Sequence, residues 1–219
     1  MNTESRLPPR EMPEPIGPPQ EDYLSRIMGG VAAIALALFF GLVLFSSRGD
    51  DDAQGARHPA VGKPLTGLHL VPLGREGEPK KLATLTGYVT LVNYWGPWCG
   101  FCKVEMPHLL KLKEKLREQA DFQLLLVSCA GRAQYDAAEH TKETLDYLRK
   151  LDAEVLPWED PQLASQHALI RSAGLDRFGY PTTVLLDREG KIRGLWEGYG
   201  GGEEKEMEEL ARAVLAEKK

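Results

Sequence analysis

The spacing of apolar and polar positions divides the chain into stretches of different character. Residues 1–22 hold Pro8, Pro9, Pro13, Pro15, Pro18 and Pro19 among scattered charges and few apolar groups. Such a stretch buries too little to fold, and a disordered tail is expected. Next comes "IMGGVAAIALALFFGLVLF", residues 27–45, without a charge and bracketed by Arg26 and Arg48. About 20 consecutive apolar residues span a bilayer core as a helix. A transmembrane signal-anchor is therefore expected over 23–48. A cleaved signal peptide has a shorter core behind a basic leader, whereas this leader is long and slightly acidic. Residues 49–60 are small and charged and are expected to be a linker.

From residue 61 the periods alternate between two and 3.6. Strands are predicted over 67–73 ("GLHLVPL") and 88–95 ("YVTLVNYW"), and a helix over 100–118. The run "FQLLLVSC", 122–129, is apolar nearly throughout, as a strand covered on both faces should be. Strand, helix and strand in this order imply a parallel crossover. A helix capped by Thr141 and carrying Leu145, Leu148 and Leu151 follows, then a short extended "EVLPWED" and a helix near 163–173. "YPTTVLLDREGKIRGLWEGY" reads as a hairpin turning at "DREG". The last helix places Met207, Leu210, Ala211, Val214 and Leu215 on one stripe. The order β-β-α-β-α-β-α-β-β-α describes an α/β domain with a central mixed sheet flanked by helices.

Composition narrows the chemistry. With 42% hydrophobic residues the domain builds a core without disulfide staples, and a net charge of -5 argues against nucleic acid. Two of the three cysteines stand in "NYWGPWCGFCKVEMPHL", as Cys99 and Cys102. Covalent haem needs His after the second Cys, and Lys103 is there instead. Structural zinc needs four ligands, and neither Cys129 nor the five histidines supply the partner spacing. A structural disulfide over so short a loop constrains little of the unfolded chain. Redox exchange suits the context. Cys99 follows a buried strand and Cys102 lies in the first helical turn, where free N–H groups and the dipole stabilise a thiolate. Such a thiol both attacks and leaves readily. No metal or cofactor is expected.

A Cys-x-x-Cys beside a βαβ pattern is a thioredoxin-like signal. "LVNYWGPWCGFCKVEMPHL" further resembles the active-site segment of the TlpA/ResA/DsbE-like thioredoxin family, with Trp98 before the first Cys and Glu105 and Pro107 after the second. "GYPTTVLLDREGKI" is similar to that family's cis-proline loop and hairpin, and the extra helix and strand after Cys129 to its central insertion. The resemblance implies a thioredoxin-like domain over 61–219, tethered to the membrane and held outside the cytoplasm, in the periplasm. Arg10 and Arg26 on one side of the apolar run and Arg48 and Arg57 on the other hardly decide orientation by themselves. By resemblance, Cys99 is the exposed nucleophile and Cys102 the more buried resolving thiol. Pro181 is the cis-proline against the disulfide and leaves the Tyr180 backbone free to pair with an extended client. Trp98 shapes access. Implied partners are protein disulfides or dithiols, a thiol electron donor and the bilayer. Apocytochrome c is one candidate client. The Gly100-Phe101 dipeptide departs from the family's common pairs, so an oxidase stands beside the preferred reductase. A redox-inert copper carrier of this fold would carry CxxxC with a distal His, which this sequence lacks.

Glu105 has its own argument. Cys102, Glu105, Leu109, Leu112 and Leu116 step by three and four and share the apolar helix face. A carboxylate there, unless paired with a nearby Lys, has its pKa raised by desolvation and can relay a proton to Cys102. The resemblance implies the same role. Thioredoxins proper carry a buried Asp where this chain has Asn93, which shifts proton handling towards Glu105. Cys129 is expected to be a small buried hydrophobe, Trp95 a packing residue and His108 a surface one.

Overall fold

Val89–Trp95 is buried at every position. It is the strand that neighbours cover on both edges and helices on both faces. In the computed structural model, which describes residues 27, 28, 30, 53–131 and 136–217, it is the third of seven strands. They are β1 (His69–Pro72), β2 (Lys80–Lys81), β3 (Val89–Trp95), β4 (Phe122–Ser128), β5 (Pro157–Glu159), β6 (Thr182–Leu186) and β7 (Ile192–Glu197), in the spatial order β2-β1-β5-β4-β3-β6-β7. β3, β4 and β5 run parallel. β6 and β7 continue the sheet antiparallel on one side, and β1 and β2 on the other. The predicted mixed α/β sheet is present. β2 is an addition: two lysines carry no alternation, and it forms by pairing with β1.

Four helices complete the domain: α1 (Gly100–Lys115), α2 (Ala137–Lys150), α3 (Ala164–Ala173) and α4 (Glu203–Ala216). Period-two alternation along β3 sorts the core. Val89, Leu91 and Trp95 pack with Met106, Leu109 and Leu112 of α1 and Met207, Ala211 and Val214 of α4. Val92 and Tyr94 pack on the other face with Leu169 and Ala173 of α3. Asn93 therefore shares the face of α1.

Two local features tie the helices down. Pro107 lies inside α1 and has no N–H for the Lys103 carbonyl one turn back. The Tyr147 hydroxyl of α2 donates to that carbonyl at 3.0 Å, which satisfies it and docks α2 against α1. α2 starts earlier than predicted. Asp136, not Thr141, is its cap and accepts the Glu139 N–H at 2.9 Å. Thr141 lies within the helix and donates back to the Ala137 carbonyl at 2.8 Å.

The compact unit covers Ala53–Lys219. It takes in residues 53–60, read from sequence as linker. The Gly55 N–H donates to the Leu195 carbonyl at 2.7 Å, the Gln54 side chain accepts the Glu197 N–H at 2.8 Å, and Ala60 is buried. Their small and charged composition hid this, because the pairing of Gly55 is made by backbone and that of Gln54 by one polar side chain. Among the described residues no helix is long and apolar enough to cross a membrane. The expected tail and, except for the helical Ile27, Met28 and Gly30, the expected anchor lie outside the described residues.

Candidate active site

β3 delivers the chain into the cysteine pair, and α1 begins on it. Cys99 caps α1 in extended conformation, and its Sγ accepts the Cys102 N–H at 3.2 Å. Cys99 and Cys102 are joined as a disulfide, with Cα atoms 5.3 Å apart. Because the sulfur occupies the cap position, a Cys99 thiolate would sit where the free N–H groups and positive helix end stabilise it. Lys113 and Lys115 in the last turn suit the opposite end of the same dipole. Cys102 is fully buried, whereas Cys99 keeps 6% of its surface. Cys99, expected to be exposed, is thus itself nearly buried, though less completely than Cys102. Tyr180, which precedes Pro181, packs against the cluster that holds both cysteines.

Pro181 is joined to Tyr180 by a cis peptide bond, as the resemblance implied. Its carbonyl accepts the Gly198 N–H at 2.7 Å. Among the described residues the Tyr180 N–H and carbonyl have no hydrogen-bond partner, so an extended segment can pair there. Trp98 stands 41% exposed beside the pair, yet it is held in place. Its Nε1–H donates to the Cys129 carbonyl at 2.8 Å, and its ring crosses that of Tyr180 edge to face at 5.2 Å. A Cβ at Gly96 or at Gly131 would collide with the indole, so two glycines form its slot. Phe101 and Val104 are also exposed. With Trp98 they make an apolar rim at intervals of three residues.

Behind Cys102, Glu105 lies one turn along the same face and is 1% exposed. Among the described residues no lysine bonds to it. Its Oε2 accepts from Asn93 Nδ2 at 2.8 Å and its Oε1 from the Thr183 hydroxyl at 3.2 Å, while Asn93 Nδ2 also donates to Thr183 Oγ1 at 2.8 Å. Burial pushes the Glu105 carboxyl up to about 7. The two hydrogen bonds hold it lower than burial alone would, and the Glu203 and Glu204 carboxylates push it up a little further. Thr183 is the partner that sequence reading missed. The signal was available in register: β6 pairs antiparallel with β3 and sets Thr183 opposite Asn93.

Other expectations fall into place. Cys129 is buried and unpaired with another cysteine, and burial raises its thiol well above the usual range. Trp95 is fully buried against Tyr147. His108 is half-exposed, 3.6 Å from a Glu204 oxygen.

The arrangement couples a capped, partly accessible sulfur to a buried one beside a carboxyl that titrates near neutrality. Known proteins point the same way. The Redoxin family model matches residues 54–211. The thiol:disulfide interchange protein DsbE of Allochromatium vinosum is 29% identical over 168 residues, 76% of this chain and 78% of the relative. The thiol-disulfide oxidoreductase ResA of Bacillus thuringiensis is 24% identical over 139 residues, 64% and 70% of the two chains. A secreted thiol-disulfide isomerase from Corynebacterium glutamicum shares the fold with a TM-score of 0.55 at 19% identity, covering 70% of this chain and 86% of that one. The chain belongs to the Redoxin family, as a thioredoxin-fold thiol–disulfide oxidoreductase of the TlpA/ResA/DsbE-like group.

Proposed function

We propose that the chain is a membrane-tethered, extracytoplasmic reductase of disulfides in exported proteins, with Cys99 attacking, Cys102 resolving and Glu105 moving the proton. The observation that carries the site assignment is the buried Glu105 carboxyl, raised to about 7, one helical turn from the buried Cys102. The Cys99 thiolate attacks one sulfur of the client disulfide; a mixed disulfide forms and the other client sulfur leaves as thiolate. Glu105, ionised, accepts the Cys102 proton. The Cys102 thiolate then attacks Cys99 Sγ, closes the Cys99–Cys102 bond and expels the second client sulfur. Two electrons have passed to the client, and the proton on Glu105 is available to the departing thiolates. A thiol donor must supply two electrons to reopen the pair.

The client lies along the Tyr180 backbone beside Pro181 and under Trp98, where the free backbone groups and the apolar rim receive it. Apocytochrome c is the client class we favour, because the resemblance to DsbE and ResA includes reductases that serve cytochrome c maturation. The apolar run 27–45 supports the tether by its length and lack of charge. The domain layout follows: tail 1–22, anchor 23–48 and oxidoreductase domain to 219. The direction of flow is tested by equilibrating the pair with glutathione buffers. A potential below roughly -120 mV, that of a strong oxidant of this fold, is expected. A value at or above it would assign an oxidase, the reading to which the Gly100-Phe101 dipeptide would then belong.

A further inference from the structure

On the face of β3 opposite Glu105, hydrogen bonds and one ring contact form a closed circuit that passes through no catalytic group. Trp98 Nε1–H donates to the Cys129 carbonyl at 2.8 Å. The Cys129 Sγ accepts from Gln166 Nε2 at 3.2 Å. Gln166 Oε1 accepts from the Tyr180 hydroxyl at 2.9 Å, and that hydroxyl also meets the Cys129 thiol directly. The Tyr180 ring returns to Trp98, edge to face, at 5.2 Å. The circuit thus joins the residue before Cys99, the residue after β4, helix α3 and the residue before Pro181.

We propose that Gln166 is a positioning residue that sets the gap between Trp98 and the cis-proline loop, and with it selectivity for peptide clients over small disulfides. The inference rests on the reading of Trp98, Tyr180 and Pro181 as the surfaces that receive the client.

Three observations support it. First, Gln166 is itself buried and anchored through its backbone. It is 3% exposed, and its N–H donates to Asp160 Oδ2 at 2.9 Å while the neighbouring Ser165 N–H takes Oδ1 at 2.9 Å. Ser165 Oγ in turn accepts the Tyr94 hydroxyl of β3 at 3.1 Å, so α3 is referenced to the central strand. Second, a buried amide whose N–H partner is a thiol sulfur is a poor choice for stability alone, because sulfur is a weak acceptor and desolvating the amide costs free energy. A methionine of similar length would fill the space without that cost. What the amide adds is direction. It accepts from Tyr180 and donates to Cys129 in one rigid plane. Third, the Tyr180 ring meets Phe178 at 5.5 Å and Trp98 at 5.2 Å, both edge to face, so its hydroxyl, held by Gln166 and Cys129, is the polar handle that fixes its angle.

Without the amide the Tyr180 hydroxyl keeps only the Cys129 sulfur, a weak partner, and the two lips are less firmly set against each other. A peptide must lie in register along the Tyr180 backbone and under Trp98, and it then bears an ordering cost that the circuit removes in advance. A small disulfide meets only Cys99 Sγ and does not. The test uses the full-length chain, reduced, in single-turnover reactions with two probes: a decapeptide closed by one disulfide, and a small symmetric aromatic disulfide. Gln166→Met is expected to lower the peptide-to-small-disulfide rate ratio roughly fivefold to tenfold, with the small-disulfide rate within about twofold of wild type. Tyr180→Phe, which removes one hydroxyl and decides the matter if Gln166→Met does not fold, should lower the ratio to the same extent. The double variant should add little to either, since both cut one circuit. Equal losses on both probes would show a general structural defect and overturn the proposal, and so would an unchanged ratio. Wild type inert towards both probes would sink the exchange reading itself. An unchanged ratio in active variants sinks only the role of Gln166.

Discussion

Two buried polar clusters flank β3, one on each face, and they differ in what they hold. On the α1 side, Asn93, Thr183 and Glu105 surround a carboxyl brought to about 7, inside the working range of pH. On the α3 side, Tyr94, Cys129 and Tyr180 are all raised by burial, which removes them from titration near neutrality. The same physical cause, desolvation, acts on both with opposite consequence. An acid that starts low is carried into the physiological range, whereas phenols and a thiol that start high are carried out of it. One cluster can therefore do chemistry, and the other can only hold geometry. Alternation along a single strand, Asn93 to one side and Tyr94 to the other, produces the division.

The largest effects should follow from the sulfurs. Cys99→Ser is expected to abolish disulfide exchange, whereas Cys102→Ser should accumulate mixed disulfides with clients, visible on non-reducing gels of membranes. Equal trapping by both variants would break the assignment of roles. The next effect is on stability. Glu105 holds its proton up to about 7 in the fold against 4.5 in the unfolded chain. The fold is therefore favoured below pH 4.5 and loses that contribution as pH rises through about 7. At roughly 1.4 kcal/mol per pKa unit, the gap amounts to about 3 kcal/mol above neutrality. Glu105→Gln should remove this pH dependence, measured on the oxidised protein by denaturant unfolding at pH 4 and pH 8. A difference in stability between variant and wild type that is the same at both would contradict the buried, titrating carboxyl.

Asn93→Leu sharpens the comparison further. Its amide donates to the Glu105 carboxylate and holds the pKa down, so its loss should raise the midpoint by about one unit, worth about 1.4 kcal/mol. The shift is readable by carbon NMR of the labelled Glu105 side chain. The smallest effect is expected at Cys129. Cys129→Ala should change the rate with a small disulfide by less than about twofold, and the native thiol should resist alkylation at pH 8 until the protein unfolds. Rapid labelling of Cys129 in the native state would show the α3 cluster to be reactive after all.

Much of the first cluster was legible in the sequence. The steps from Cys102 to Glu105 and on through Leu109, Leu112 and Leu116 place the carboxyl on the apolar face from spacing alone, because helix period is a local property. Thr183 was not legible, since its place depends on how β6 registers against β3, a contact across 90 residues. The second cluster was hidden for the same reason. Gln166 lies on a helix whose polar and apolar residues intermix, and nothing local says that its amide meets Cys129 and Tyr180. Asp136 rather than Thr141 starts α2, because two capping residues lie close together and the Asp136 carboxylate takes the Glu139 N–H. The pairing of Gly55 with β7 through its backbone, and of Gln54 through its side chain, left no trace in composition.

The central claim is that Glu105 moves the proton that frees Cys102. Single-turnover reduction of a peptide disulfide, followed by stopped flow from pH 5 to 9 for wild type and Glu105→Gln, tests it most directly. The attack by Cys99 should change little, because the helix end that stabilises its thiolate is untouched. The resolving step should show an inflection near pH 7 in wild type, and in the variant it should lose that inflection and slow roughly 10- to 100-fold. Identical rates and pH profiles for the two proteins would contradict the account and leave Glu105 a structural residue.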